Sequence, residues 1–290
     1  MIAIRRCPLC AGTDLVPFAA NPIGIRLTLH FAQTRCRDCD LLIAQPQADA
    51  REIDEYYRSH YYEEHWEDSR AVFEENALDQ QRTTLPALDR LWNGWTPALS
   101  SSIVEVGCGY GAMLVALGDR GYRMTGVELS ARAARFCRSN GFNVIVGRAP
   151  DLPLLPASYD VVLSRHVIEH VAEPIAFVQS LTRALRPAGL IVIETENARI
   201  SQYAWDRFRA RMRGRIPPFR SSTDHTHVFQ ARHLETLLVQ AGCAEVRTGF
   251  YPAAPAIESF HWRLYKGLFR SIDRLRREGE YLLAVGRKAA

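Results

Sequence analysis

Three groups of residues in this 290-residue chain have the types and spacings that chemistry needs. In Ile103-Val104-Glu105-Val106-Gly107-Cys108-Gly109-Tyr110-Gly111 an apolar run stops at alternating glycines. Glycine permits a tight turn and removes the Cβ, so a ligand can approach bare backbone, and a following helix N-terminus adds unpaired N–H groups. That is a cradle for a cofactor. Cys7-Pro8-Leu9-Cys10 and Cys36-Arg37-Asp38-Cys39 are two knuckles twenty-five residues apart. Each C-x-x-C turn aims two thiolates at one point, and the pair completes a tetrahedral sulfur site suited to Zn2+. With all four positions filled by protein, such a metal is structural rather than catalytic. The third group is imidazoles, in Asp224-His225-Thr226-His227 and in Arg165-His166-Val167-Ile168-Glu169-His170. An unshifted imidazole titrates near neutrality and can take a proton from a hydroxyl.

The elements around the glycines alternate strand and helix. Arg123 to Glu128 reads as a short strand, with Ser130 as the N-cap of the next helix. Asn143 to Gly147 reads as a third strand and Tyr159 to Ser164 as a fourth, leading into a helical stretch at 165–171. A helix from about Pro174 ends at Arg186-Pro187-Ala188-Gly189, before a fifth strand over Leu190 to Thr195.

Two cofactors fit the loop. Gly107, Gly109 and Ala112 match the dinucleotide pattern G-x-G-x-x-A, with Glu128 at the distance where an acid meets a ribose. Read as E-x-G-x-G-x-G, the same loop resembles motif I of the class I S-adenosylmethionine-dependent methyltransferases. The extra carboxylate, Glu105, suits a cationic sulfonium ligand and repels a pyrophosphate. The run continues to be similar to that family in its fourth strand, in Ile168-Glu169-His170-Val171, and in Leu185-Arg186-Pro187-Ala188-Gly189. The resemblance covers 103–197. It implies an α/β, Rossmann-like seven-stranded sheet, mostly parallel with the last strand antiparallel, in which Cys243 to Thr248 and Glu280 to Lys288 supply the final two strands. It further implies S-adenosyl-L-methionine as cofactor, held by Glu105, Gly107, Cys108, Gly109, Gly111, Glu128, Leu129, Ala149 and Ser164. Where family members often carry an acid after strand three, this chain has Arg148.

The cysteine module resembles one found ahead of certain bacterial methyltransferases, the sugar C-methyltransferases among them. The matching residues are Cys36 to Leu41, Pro46, Tyr56-Tyr57 and Tyr61-Tyr62. The resemblance implies that the module walls one side of the substrate pocket. Asp224 to Phe229 is similar to the H-E-H-L-x-x-F segment of the same enzymes, with Thr226 in place of the glutamate. That makes His227, then His225, the candidate general base, with His166 and His170 competing for the role. Glu169-His170 resembles the E-H of ubiquinone-type O-methyltransferases.

The expected domains are a zinc-binding module over 1–60, a helical linker over 61–98, and a methyltransferase domain over 99–290 with a basic insertion at about 198–222. A hydrophobic content of 47% suffices for one large core and a small appended module. No apolar run approaches the roughly 20 residues of a membrane helix, and no apolar leader opens the chain, so a cytoplasmic protein with reduced thiols is expected.

The net charge of +4 is unevenly spread. Between Asp49 and Asp79 there are eleven acids and three arginines, which disfavours a nucleic-acid partner. Arg199 to Arg220 holds seven arginines against Asp206 alone, suited to an anionic acceptor or to peripheral contact with an anionic membrane surface, a solvated helix face being the bland alternative. The expected reaction is methyl transfer to oxygen or carbon of a small molecule such as a sugar or sugar nucleotide. An RNA methyltransferase, an NAD-dependent enzyme and a non-catalytic scaffold are the alternatives.

Overall fold

The structure is a computed structural model that describes residues 2–20, 32–59, 70–148, 151–198, 205, 208–210, 212–213, 225–252, 270–273, 275–276 and 278–290. The expectations placed on Tyr61, Tyr62, Ala149 and most of the 198–222 insertion lie outside those residues.

The knuckles sit around a small sheet. Strands β1 (Leu15–Ala20), β2 (Ala32–Cys36) and β3 (Leu42–Gln45) pair antiparallel in sequence order. Helix α1 (Ala50–Ser59) follows. Its start is a reciprocal cap: the Asp49 carboxylate accepts from the amides of Arg51 and Glu52 at 2.9 Å, and the Glu52 carboxylate accepts from the Asp49 amide at 2.8 Å. Helices α2 (Arg70–Arg82) and α3 (Thr84–Trp92) lie in the segment read as a linker. They pack against the main domain: Leu85, Leu88 and Trp92 are fully buried, and Phe73 joins Tyr110 and Ala133.

The main sheet is built from β4 (Ser102–Val106), β5 (Arg123–Glu128), β6 (Asn143–Val146), β7 (Tyr159–Arg165) and β8 (Leu185–Glu196), separated by α4 (Ala112–Gly118), α5 (Ala131–Ser139) and α6 (Pro174–Ala184). A short strand β9 (His227–Val228) and helix α7 (Ala231–Gln240) precede the last pair, β10 (Cys243–Tyr251) and β11 (Tyr281–Lys288). The strand order is β10-β11-β8-β7-β4-β5-β6. All pairs from β8 to β6 are parallel, and β11 runs antiparallel to both neighbours, as the family resemblance implies. The central strands are apolar on both faces because helices cover both: Ile103, Val104, Val161, Val162, Leu163, Ile191 and Val192 are buried.

Two departures from expectation are local. The segment 185–189, read as a turn, is the start of β8, with Leu185 paired to Tyr159 and a register break before Leu190 pairs with Val161. Gly189 is required at this bulge, since a Cβ there would lie 2.9 Å from the Arg186 carbonyl and 3.0 Å from that of Asp160. The second is β9, which adds to the edge of the N-terminal sheet by pairing antiparallel with β3. The cysteine module and the segment that follows the insertion therefore share one four-stranded sheet.

Candidate active site

The loop between β4 and α4 turns by left-handed backbone at Gly107 (φ 79°), Gly109 (φ 53°) and Gly111 (φ 84°). A Cβ on Gly107 would sit 2.2 Å from Val167 Cγ2, so glycine is needed there for space as well as for its φ. Glu128, at the tip of β5, is buried, and its carboxylate accepts from the Gly109 amide at 2.9 Å and from the Ser130 amide at 2.8 Å. Ser130 caps α5 as expected, its hydroxyl accepting from the Ala133 amide. Glu105 is 2% exposed and one carboxylate oxygen, Oε2, has no hydrogen-bond partner among the described residues. Burial pushes its pKa up to about 8; Arg165 opposes the shift, while Glu194 and Glu128 add to it. A buried, unsatisfied carboxyl at a glycine loop is a site for a cation.

Glu105, Gly107, Cys108, Gly109 and Glu128 line a cavity of about 600 Å³, together with Leu129, Arg148 and Asp151, whereas Gly111, expected to contact the cofactor, does not line it. Ile53 of α1 reaches the same cavity, so the N-terminal module contributes to its wall. Ser164 does not line it: alternation along β7 turns Arg165 into the cavity and leaves the Ser164 hydroxyl buried without a partner among the described residues. The expected contact from Ser164 is corrected accordingly.

Arg165 and His166, which also line the cavity, belong to a charge network that the sequence does not announce. Glu194, fully buried in β8, accepts from Arg165 Nε at 3.0 Å and Nη2 at 2.9 Å, and lies 3.0 Å from His166 Nε2. His166 Nδ1 lies 3.3 Å from Glu169. With a carboxylate on each ring nitrogen, His166 is an imidazolium; burial alone would lower its pKa, but Glu169 and Glu194 raise it to about 10. Burial would raise Glu194 and Glu169, but Arg165 and His166 hold Glu194, and His166 holds Glu169, well below the usual carboxylate range. His166 also has a φ of 51°, a strained conformation that this network over-determines.

The sign of the pH dependence follows. His166 has a raised folded pKa, so its contribution is complete below its ordinary 6.5 and fades as pH climbs towards 10. Glu169 has a lowered one, so its contribution is present above 4.5 and fades as pH falls towards 2. Thermal melts at about pH 6 and about pH 9.5 should show wild type losing its advantage over His166→Gln at the higher pH. An advantage that is constant across that range would contradict the imidazolium.

His166 therefore has no lone pair with which to accept a proton, which corrects its candidacy as a base. His227, the first candidate, does not line the cavity: it is buried in β9 between Thr226 Oγ1 (2.9 Å) and Gln47 Nε2 (3.3 Å). His225 is also buried, behind the wall, with Nδ1 3.6 Å from Glu196. Its ring meets that of His170 edge-on at 4.7 Å, and His170 does line the cavity, from a one-turn 3₁₀ helix over Ile168–His170.

The four knuckle cysteines converge. Cys7 and Cys39 sulfurs are 3.5 Å apart, Cys10 and Cys36 sulfurs 3.6 Å, and all four lie within 4.8 Å of one another. A tetrahedron with metal–sulfur bonds of about 2.3 Å has edges of about 3.8 Å, so the donor set fits zinc. The site is buttressed from the main domain, with His233 Nε2 2.7 Å from the Cys39 carbonyl and Arg232 2.5 Å from Asp40. His233 Nδ1 accepts from the Gln230 amide, which leaves Nε2 as the donor.

The family described as Methyltransferase domain matches residues 60–248. A ubiquinone biosynthesis O-methyltransferase of Idiomarina loihiensis is 32% identical over 110 residues, covering 35% of this chain and 44% of its own length. A Mycobacterium tuberculosis protein named as a probable S-adenosylmethionine-dependent methyltransferase is 36% identical over 148 residues, covering 50% and 49%. The chain spans about half the length of these curated relatives. Among solved structures, an S-adenosylmethionine-dependent methyltransferase from Archaeoglobus fulgidus aligns over 75% of this chain and 99% of its own, with TM-score 0.52 and 18% identity. The Haemonchus contortus phosphoethanolamine N-methyltransferase 2 aligns over 86% and 62%, with TM-score 0.53 and 14% identity. At these identities the structural likeness establishes the fold.

Proposed function

This chain belongs to the methyltransferase-domain family, and from that premise we propose that it transfers a methyl group from S-adenosyl-L-methionine to a small, neutral, polyhydroxylated acceptor. The observation that carries the donor is the pairing of buried Glu105 with the glycine loop and Glu128 at one end of the cavity. The cofactor supplies an activated methyl on a sulfonium. The protein aligns donor and acceptor in line and excludes water. Glu128 is placed to accept from the ribose hydroxyls, and Glu105 to ionise against the cationic end. A pyrophosphate at the same loop would push the pKa of Glu105 further up and gain no charge complement from it, whereas a cation would draw it down to ionise, which disfavours the dinucleotide alternative.

The acceptor is argued from the other end. Asn76, Asp79 and Gln80 present one face of α2 to the cavity, Thr83 follows at the junction with α3, and Tyr251 and Tyr281 line it too. Carboxylate, amide and phenol groups together suit vicinal hydroxyls on a ring. Among the described lining residues the acids Asp79, Glu105, Glu128, Asp151 and Glu173 outnumber the cations Arg148, Arg165 and His166, which favours a neutral acceptor over an anionic one. His170, rather than His227, is the base we assign where the acceptor is a hydroxyl. The names of the ubiquinone-pathway relatives support a small-molecule O-methyltransferase. Labelled S-adenosylmethionine offered with sugars, sugar nucleotides and catechols tests the reading. Label on a sugar, cut by about 100-fold in His170→Ala, is the expected result; label on catechols alone would replace the acceptor class.

A structural zinc in the Cys7, Cys10, Cys36 and Cys39 site belongs to the same proposal, as does a module over 1–60 that walls the acceptor end. One further observation supports a membrane role. Trp205, Phe208 and Met212 are helical and exposed by 43%, 53% and 71%, with the two rings stacked at 5.7 Å, beside exposed Arg209 and Arg213. Among the described residues no helix is long and apolar enough to cross a membrane. Sedimentation with vesicles should show binding to phosphatidylglycerol-containing bilayers and little to pure phosphatidylcholine, with loss in Trp205→Ala/Phe208→Ala. Binding to neither bilayer would remove the membrane role, and equal binding to both would remove its dependence on anionic lipid.

A further inference from the structure

We infer that Thr226 is a positioning residue through which the N-terminal module holds the acceptor end of the cavity in place. The inference rests on the methyltransferase reading only in calling that end the acceptor end. Thr226 is fully buried where three segments meet. On one side its carbonyl accepts from the Ala44 amide at 2.8 Å and from Gln47 Nε2 at 3.2 Å, both from the module. On the other side its amide donates to the Glu169 carbonyl at 2.6 Å, and its hydroxyl lies 2.7 Å from that same oxygen and 3.2 Å from the Val171 carbonyl. The hydroxyl is also 2.9 Å from His227 Nδ1, whose other nitrogen meets Gln47.

Those contacts grip the Ile168–His170 turn, from which His170 faces the cavity and the Glu169 carboxylate holds His166. A single residue thus joins strand pairing in the module to the orientation of two cavity-lining imidazoles. Only a side chain that both donates and accepts, with a stiff χ1, can serve here, which accounts for threonine. Valine would keep the shape and the backbone bonds, but it would remove the Thr226 hydroxyl from His227 Nδ1 and leave the Glu169 carbonyl with one donor fewer. The role of His227 follows: it orients Thr226 rather than touching an acceptor.

The test compares Thr226→Val, Thr226→Ser and Gln47→Leu in the full metal-loaded chain. S-adenosylhomocysteine affinity by calorimetry reads the donor end. Histidine carbon-13 NMR titration and amide exchange at His170 and Val171 read the turn. Thr226→Val should keep S-adenosylhomocysteine affinity within about threefold. In the same variant the His166 midpoint should fall by about one unit or more and exchange at His170 and Val171 should rise by about tenfold or more. Thr226→Ser should restore both. Gln47→Leu, which leaves every strand bond intact, should move the same two readouts less, and it decides the matter if the valine variant does not fold. A folded variant whose His166 midpoint and turn protection match wild type would overturn the inference. Failure of wild type to bind S-adenosylhomocysteine would instead sink the proposed function and leave the coupling standing.

Discussion

Replacing Glu128 by alanine is expected to weaken S-adenosylhomocysteine binding by about 100-fold or more. The carboxylate is buried at the tip of β5 and is already oriented by the amides of Gly109 and Ser130. A ribose diol meeting it there would make hydrogen bonds to a charged acceptor, each contributing about 1.5–3 kcal/mol, and about 3 kcal/mol in total is a factor of about 100. The same substitution releases the Gly109 amide, so the loop itself loses definition. Glu128→Gln keeps one acceptor oxygen and should fall between the two. Calorimetry on the three proteins checks this, and an alanine variant that binds within a few-fold of wild type would mean that the cofactor lies elsewhere in the cavity.

The second large effect concerns the metal. Purified under zinc-replete conditions, the chain should carry about one zinc ion, and Cys36→Ser should lose it. Cys36 is fully buried and its sulfur lies 3.6 Å from that of Cys10. Structural zinc sites contribute on the order of 10 kcal/mol to the folding of small modules. The loss should not stay local, because β9 pairs with β3 and His233 and Arg232 clasp the second knuckle. A drop in melting temperature on the order of 10 °C is expected, with exchange rising first in β3 and β9. Metal analysis of wild type showing no zinc, with unchanged stability on chelation, would refute the assignment.

The parts of the site that depend on short-range pattern were legible in the sequence. The glycines at 107, 109 and 111, Glu128 at a strand end, the Ser130 cap and the four cysteines all lie where their spacing puts them, because turn geometry and strand alternation act over a few residues. The seven-stranded sheet with its antiparallel last strand was legible through the resemblance to the methyltransferase family rather than through the strand and helix runs alone. The histidines were not legible. Whether His227 faces the cavity or the module is set by its pairing with β3, and its partner Gln47 lies 180 positions earlier. Glu194 looked like one more polar residue in a fifth strand, although an acid inside a run as apolar as Ile191-Val192-Ile193 was a signal that a buried cation faces it. Helix α2 gave no strong amphipathic pattern to separate a linker from a cavity wall, since its polar face meets the cavity rather than bulk solvent.

The most direct test of the central claim, that the cavity is an adenosyl-cofactor site, is a calorimetric titration of folded, metal-loaded protein with S-adenosylhomocysteine beside an identical titration with NADH. Stoichiometric saturation by S-adenosylhomocysteine in the micromolar range, with no heat from NADH, is the predicted result. Binding of NADH, or no binding of S-adenosylhomocysteine, would contradict it.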